Sequence, residues 1–151
     1  MAPGAPASIH ASCVAIGETG VLIRGPSGAG KSRLALRLIL DPPRILPPAE
    51  LVADDRVILT VEAGALVARP APGLEGLIEV RGLGIRRMPH RPAVALRHVV
   101  DLMAADAERM PSAEARRVMM EGVEISRLPL NDPETAALII ACILTSDDYE
   151  N

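Results

Sequence analysis

The sequence predicts an α/β protein with a phosphate-binding loop and a mixed sheet of short strands. The first observation is a glycine-rich loop, residues 25–32, between an apolar run and an amphipathic segment. The second is that short β-compatible runs outnumber helical ones along the chain. The third is that many connections are shorter than the dozen or so residues a βαβ crossover needs. A sheet with both parallel and antiparallel strands follows.

The size of the chain, 151 residues, fits one domain. We expect residues 8–146 to form it, residues 1–7 to be a disordered N-terminus, and residues 147–151 to be a C-terminal tail. The chain has one Tyr and no Phe or Trp, so its core must be aliphatic and offers no platform on which bases could stack. Its net charge is −3, so the chain has no overall excess of positive charge with which to bind nucleic acid phosphates. We therefore expect no nucleic acid partner.

Targeting signals are not apparent in the sequence. It shows no charged-then-apolar leader, and no apolar stretch approaches the ~18 residues of a membrane span. Cys13 and Cys142 stand far apart among apolar residues, so we read them as small hydrophobic side chains. These features predict a cytoplasmic protein with no membrane partner.

The glycine-rich loop satisfies the pattern G-x-x-x-x-G-K-[ST] in full. Glycines allow such a loop to curl around phosphate oxygens, and the N-terminus of the helix that follows offers free N–H donors. In this arrangement Lys31 reaches the β- and γ-phosphates and the Ser32 hydroxyl ligates Mg²⁺. The chain is thus predicted to bind a nucleoside triphosphate or a similar polyphosphate. The nucleotide-binding residues are Gly25, Pro26, Ser27, Gly28, Ala29, Gly30, Lys31 and Ser32.

The remaining elements follow from apolar patterning and turn residues. We expect a hairpin from residues 8–16 and 21–24, a helix from the loop to about Leu40, and flexible backbone at residues 81–84. Residues 104–120 show weak helical periodicity, and a closing helix with proline in its first turn spans residues 133–145. The other expected strands are residues 51–53, 56–62, 65–69, 77–80, 93–102 and 123–130.

Charged residues near these strands are candidates for chemistry. Asp54 and Asp55 end a buried strand, so one carboxylate could hold Mg²⁺ and the other accept a proton, although such a pair can also mark a simple turn. His10, next to apolar residues, is by itself more typical of a structural group. Glu79 lies in an apolar run and needs a cation such as Mg²⁺ or Arg81, unless it faces solvent on an edge strand.

Together these segments resemble the catalytic domain of HPr kinase/phosphorylase, the P-loop serine kinase that acts on the phosphocarrier HPr, in a short form similar to those of α-proteobacteria. The residues that carry the resemblance are 9–14, 25–32, 51–57 and 78–85. The resemblance implies an HPr kinase-like fold whose nucleotide site is similar to that of phosphoenolpyruvate carboxykinase. It also implies roles for single residues. Asp54 would be the base toward the serine hydroxyl and the acid in the reverse phosphorolysis, and His10 would lie close to it. Asp55, Glu79 and Ser32 would serve the metal, and Arg81 would stabilise the site or the phosphates.

The function that the resemblance implies is an ATP-dependent protein-serine kinase, with ATP and Mg²⁺ as cofactors. Its partner would be an HPr-type phosphocarrier protein of the phosphotransferase system, and the kinase would be a homo-oligomer, since the family forms hexamers. Two alternatives stay open. One is an ATP-sensing module that binds a partner without phosphoryl transfer. The other is a small-molecule kinase in which Arg86, Arg87 and Arg91 form a lid.

Overall fold

The computed structural model describes residues 7–149. Two α-helices, α1 (Lys31–Leu40) and α2 (Ala136–Thr145), lie in this part of the chain, and a 3₁₀ turn at Pro133–Thr135 leads into α2. Neither helix is long and apolar enough to cross a membrane. The strands are β1 (Ala7–Ile9), β2 (Ser12–Ile16), β3 (Thr19–Arg24), β4 (Ala49–Ala53), β5 (Val57–Glu62), β6 (Ala65–Pro70), β7 (Leu77–Val80), β8 (Gly84–Arg87), β9 (Val94–Leu102), β10 (Arg117–Met120) and β11 (Val123–Leu130).

The main sheet is mixed, as the sequence predicts. Strand β9 runs parallel to β3 on one side and to β11 on the other, while β2 lies antiparallel between β3 and β4. Strand β4 consequently runs in the same direction as β3, and both end at the edge of the sheet where the glycine-rich loop begins. The first part of β9 also pairs with β6, which continues through β5 to β1 in an antiparallel arrangement.

Two aliphatic cores lie on the two faces of the central strands. On one face α1 and α2 pack against the sheet, with Leu38 and Ile140 among the buried side chains. On the other face the β1-β5-β6 strands fold back over the sheet and bury Leu22, Leu59 and Leu66. Burial of apolar surface on both faces explains how a chain without Phe or Trp forms a three-layered domain.

Several predicted elements are confirmed. β2 and β3 form a hairpin, α1 starts at the glycine-rich loop and ends at Leu40, and β5 and β6 join through a two-residue turn. The closing helix begins after Pro133, whose missing N–H is not needed in a first turn.

The weak helical periodicity of residues 104–120 does not correspond to a helix. These residues form turns, and only their end, β10, has regular structure. Arg127 donates hydrogen bonds to both the Asp106 carboxylate and the Ala115 carbonyl, so tertiary contacts hold this segment against β11. Tertiary contacts of this kind override a weak local propensity.

Three smaller expectations also need correction. The strand predicted for residues 8–16 is broken at His10, because β1 pairs with β5 whereas β2 pairs with β3 and β4. Residues 81–84, expected to be flexible, belong to a β7–β8 hairpin, in which residues 81–83 form the turn and Gly84 begins β8. Ala7 belongs to β1 rather than to a disordered N-terminus; the rest of that predicted terminus, residues 1–6, lies outside the described residues, as do residues 150–151 of the predicted tail.

Candidate functional site

The glycine-rich loop connects β3 to α1 and leaves the start of the helix open. Gly30 is the N-cap of α1, with a φ of 100° and no side-chain hydrogen bond to the first helical turn. The first N–H groups of α1 therefore remain available to an anion. A side chain at Gly25 would be crowded, because a Cβ there would lie 3.1 Å from both the Leu102 carbonyl oxygen and the Ala29 Cβ. The loop thus has the conformation that a phosphate cradle requires.

Lys31, the first residue of α1, folds back over this loop. Its Nζ donates to the carbonyl oxygens of Gly25 at 2.9 Å and Pro26 at 3.2 Å. The ammonium group therefore stays above the cradle and half-buried. A cation at this position can reach phosphate oxygens that lie on the helix N-terminus.

Asp54 follows the end of β4 and is 6% exposed. Its Oδ1 accepts hydrogen bonds from the Ser12 hydroxyl at 2.6 Å and from the Ser32 hydroxyl at 2.8 Å. The backbone N–H of Glu79 also approaches Oδ2, at 3.4 Å. Asp54 is thus hydrogen-bonded directly to the hydroxyl of Ser32, the last residue of the glycine-rich loop motif.

Asp55 has a different environment, because the chain turns at this residue. Its φ is +69°, in the left-handed region, and the Arg56 N–H bonds back to the Asp54 carbonyl at 2.8 Å. Non-glycine residues in this conformation are uncommon and carry backbone strain. The turn leaves the Asp55 side chain 74% exposed and directs its carboxylate away from the buried contacts of Asp54.

His10 lies next to Asp55. Its Nδ1 is 3.4 Å from Asp55 Oδ1, and the Ala11 N–H bonds to the Asp55 carbonyl oxygen at 3.3 Å. The break between β1 and β2 places the histidine here. The resemblance implied a histidine close to Asp54, yet the carboxylate that His10 contacts is that of Asp55.

Glu79 and Arg81 lie on the β7–β8 hairpin. Glu79 is exposed on β7, which pairs only with β8 among the described strands, so its carboxylate avoids the cost of burial. No ion pair joins Glu79 to Arg81 in the described part of the chain. Both side chains line the same cavity as the glycine-rich loop.

The cavity brings most of the predicted site residues together. It has a volume of about 680 Å³ and lies between the loop, the two aspartates and the β7–β8 hairpin. Four of the predicted residues do not line it. Gly25 and Pro26 belong to the base of the loop, Ala29 is buried in the helix-side core, and His10 contacts Asp55. The predicted residues that line the cavity are Ser27, Gly28, Gly30, Lys31, Ser32, Asp54, Asp55, Glu79 and Arg81.

Sequence reasoning missed Ser12 and an arginine network next to the loop. Ser12 could have been found as the polar residue in an otherwise apolar strand. In the structure it is 1% exposed and its hydroxyl donates to Asp54. Asp101 of β9 accepts two hydrogen bonds from Arg24, the residue just before Gly25, and one from Arg127 of β11. Burial raises the pKa of Asp101, but the arginine hydrogen bonds outweigh this effect and hold the pKa below its ordinary value. The network fixes the end of β3 from which the loop starts.

The donor set at the loop fits Mg²⁺. Residues 7–149 contain no ready-made group of three or more His, Cys, Asp or Glu side chains that could hold a metal ion. Mg²⁺ at phosphoryl-transfer sites needs only one or two protein oxygens, because phosphate and water complete its coordination. The hydroxyl of Ser32 and the carboxylate of Asp54, 2.8 Å apart, offer such a pair.

Comparison with known proteins now identifies the family. Residues 4–146 match the family model described as HPr Serine kinase C-terminal domain. The chain belongs to this family. It is 36% identical over 120 residues to an HPr kinase/phosphorylase from Neisseria meningitidis, covering 74% of this chain and 36% of that protein. It is 45% identical over 76 residues to one from Mycoplasma mycoides, covering 50% of this chain and 22% of that protein.

A solved structure supports the HPr kinase-like fold. The Hpr(Ser) kinase/phosphatase from Coxiella burnetii matches with a TM-score of 0.73 and 25% sequence identity, covering 91% of this chain and 93% of that one. The mixed α/β class is therefore confirmed. The chain spans only about a third or less of the curated relatives named above, 36% and 22% of their lengths.

Proposed function

We propose that the chain is an ATP-dependent protein-serine kinase that acts on an HPr-type phosphocarrier protein of the phosphotransferase system. The observation that carries the proposal is the pairing of two carboxylates with different surroundings at one phosphate cradle. Asp54 is buried against the loop hydroxyl, and Asp55 is exposed beside His10. Membership of the HPr serine kinase family supports the choice of acceptor.

Phosphate binding would rest on the loop and its lysine. The open N–H groups of α1 would hold the β- and γ-phosphates, and Lys31 would exchange its contacts with loop carbonyls for charge-assisted bonds to phosphate oxygens. Ser32 and Asp54 would hold Mg²⁺, which neutralises phosphate charge in such sites. Glu79 and Arg81, on the facing hairpin, would contact the metal side and the transferring phosphate, respectively.

The geometry favours Asp55, rather than Asp54, as the proton acceptor. Both hydrogen bonds to Asp54 Oδ1 come from hydroxyl groups inside the site, whereas Asp55 projects into the space an acceptor must enter. In the transfer step the serine oxygen would bond to the γ-phosphorus as the bond to the β-phosphate oxygen breaks. The serine proton would pass to the Asp55 carboxylate, which His10 orients. In the reverse phosphorolysis Asp55 would return a proton to the serine oxygen.

The remaining parts of the proposal concern assembly and location. We propose a cytoplasmic homo-oligomer, as the resemblance to the HPr kinase family implies. The small-molecule kinase alternative has less support, because Arg91 is bound to the Glu18 carboxylate and the Gly17 carbonyl rather than placed over the cavity. Neither Arg86 nor Arg87 lines the cavity.

The test uses the fact that Lys31 is the only lysine in the sequence. The chain with Mg-ATP and an HPr-type carrier should add one phosphate to the carrier, as read by mass spectrometry. Lys31→Ala should lower ATP affinity at least ~tenfold in calorimetry, because the backbone cradle alone holds phosphates less well. ATP should also protect Lys31 from an amine-reactive label.

The control for this test is Arg44→Ala, which removes an exposed cation away from the loop and should leave ATP binding unchanged. Equal ATP affinity in Lys31→Ala and the wild type would refute the nucleotide site. If ATP binds but the carrier gains no phosphate, the result would instead support the alternative of an ATP-sensing module that does not transfer phosphate.

A further inference from the structure

The β7–β8 hairpin presents an uncovered apolar surface. All four residues of β8 are exposed, and within the described residues β8 pairs only with β7. Leu83 in the turn is 65% exposed and Ile85 is 72% exposed. Folded proteins protect open strand edges from association, and large aliphatic side chains on such an edge indicate a contact surface.

The same hairpin is positively charged in a chain whose net charge is −3. It carries Arg81, Arg86 and Arg87 and one acid, Glu79. None of these arginines forms an ion pair with another residue of 7–149; Arg87 donates only to the Glu75 carbonyl, at 3.3 Å. Seven other arginines contact a carboxylate: Arg24, Arg33, Arg37, Arg69, Arg91, Arg116 and Arg127. The remaining five form no ion pair within 7–149 either, but they lie outside the hairpin and do not line the cavity: Arg44, Arg56, Arg97, Arg109 and Arg117. The hairpin therefore offers free positive charge to an acidic surface.

The hairpin surface is continuous with the candidate site. Ile85 and Arg81 line the cavity beside Ser32 and Asp55, whereas Leu83, Arg86 and Arg87 are exposed on the same hairpin and do not line it. A small molecule that fills the cavity would leave these outer three residues exposed. A protein that inserts one side chain into the cavity would cover them.

We infer that the β7–β8 hairpin docks the protein that brings the serine into the cavity, and that this partner presents carboxylates next to an apolar patch around its serine. The inference rests on the proposed function and specifies its acceptor surface. Leu83 and Ile85 bury apolar area against the partner, while Arg86 and Arg87 attract its acidic groups and accelerate the encounter.

The test measures phosphorylation of an HPr-type carrier by the wild type, by Leu83→Ser, and by the double variant Arg86→Glu/Arg87→Glu. Each variant should raise the KM for the carrier ~tenfold or more, with kcat and ATP affinity unchanged, because these residues lie outside the cavity. The defect of the double variant should shrink toward about 1 M salt, where charges are screened beyond ~3 Å. The defect of Leu83→Ser should persist there.

Two matched controls are available elsewhere on the surface. Leu40→Ser changes an equally exposed leucine at the end of α1, and Arg44→Glu/Arg109→Glu makes the same change in net charge away from the hairpin. Both should leave the KM for the carrier at the wild-type value. Wild-type KM in the hairpin variants overturns the docking inference and leaves the kinase proposal intact. Absence of transfer by the wild type overturns the kinase proposal and the docking inference with it.

Discussion

At the scale of single residues, the adjacent acids Asp54 and Asp55 show how one backbone turn gives two neighbouring carboxylates different surroundings. The two side chains are identical in the sequence, and the resemblance alone implies that the first is the base. The left-handed φ of Asp55 sends the second carboxylate to the exposed side, where it meets His10. Backbone conformation at a single residue could not be read from composition or spacing, so the different surroundings of the two carboxylates needed the structure.

The proposed division of roles, with Asp55 as base and Asp54 beside the metal, predicts opposite phenotypes for two amide variants. Asp55→Asn keeps size but cannot accept the serine proton, so transfer to the carrier should fall by about 10² or more while Mg-ATP still binds. Asp54→Asn loses the charge beside Ser32, so it should need more Mg²⁺ and recover part of its rate when Mg²⁺ is raised. Steady-state rates over a Mg²⁺ titration measure both effects.

Asp41→Asn supplies a control for these variants, because Asp41 is an exposed acid at the end of α1. It should match the wild type in rate and in Mg²⁺ dependence. The reverse pattern, with Mg²⁺ rescuing Asp55→Asn but not Asp54→Asn, would return the role of base to Asp54.

At the scale of elements, segments with strong local signals could be predicted and those fixed by distant contacts could not. Two such segments are the glycine-rich loop with α1 and the β5–β6 hairpin. Their turn residues and the spacing of their apolar residues are enough to predict them from neighbouring sequence alone. Residues 104–120 have no such signal, and Arg127 holds them from another strand. Strand β7 agrees with the strand predicted at residues 77–80, but β8 and its pairing with β7 escaped prediction, since glycines at the turn are typical of loops as well.

The turn between β5 and β6 offers a prediction on stability. Glu62 and Ala65 are paired, so residues 63–64 form a two-residue turn in which Ala63 has a φ of 51° and Gly64 a φ of 81°. Such turns favour Asn-Gly, because asparagine tolerates positive φ better than alanine. Ala63→Asn should raise the free energy of unfolding by about 0.5–1 kcal/mol in urea denaturation.

A matched substitution separates this effect from asparagine itself. Ala105 is exposed and is not among the non-glycine residues with positive φ, so Ala105→Asn should give no gain in stability. An unchanged or lower unfolding free energy in Ala63→Asn would show that the turn carries no strain to relieve.

At the scale of the whole molecule, β9 is the strand on which the layers meet. It pairs with β3, β6 and β11, so the helix-side core, the opposite core and the glycine-rich loop all depend on its position. Three titratable side chains, Arg97, His98 and Asp101, lie on it. Asp101 is satisfied by Arg24 and Arg127, whereas His98 Nδ1 is buried without a hydrogen-bond partner among the described residues.

His98 predicts how the stability of the whole domain depends on pH. Burial, with a smaller contribution from Arg97, lowers its pKa below the ordinary value of 6.5. Near and below that ordinary value the unfolded chain binds a proton that the folded chain resists, so the free energy of unfolding should decrease as the pH falls through this range. Urea denaturation at about pH 8 and about pH 5 measures the decrease.

His98→Gln should show a smaller decrease than the wild type, whereas His90→Gln, which removes an exposed histidine, should show the wild-type decrease. An identical pH dependence in His98→Gln and the wild type would mean that His98 takes up its proton equally well in the folded and unfolded chains, and that β9 accommodates a charged histidine without loss.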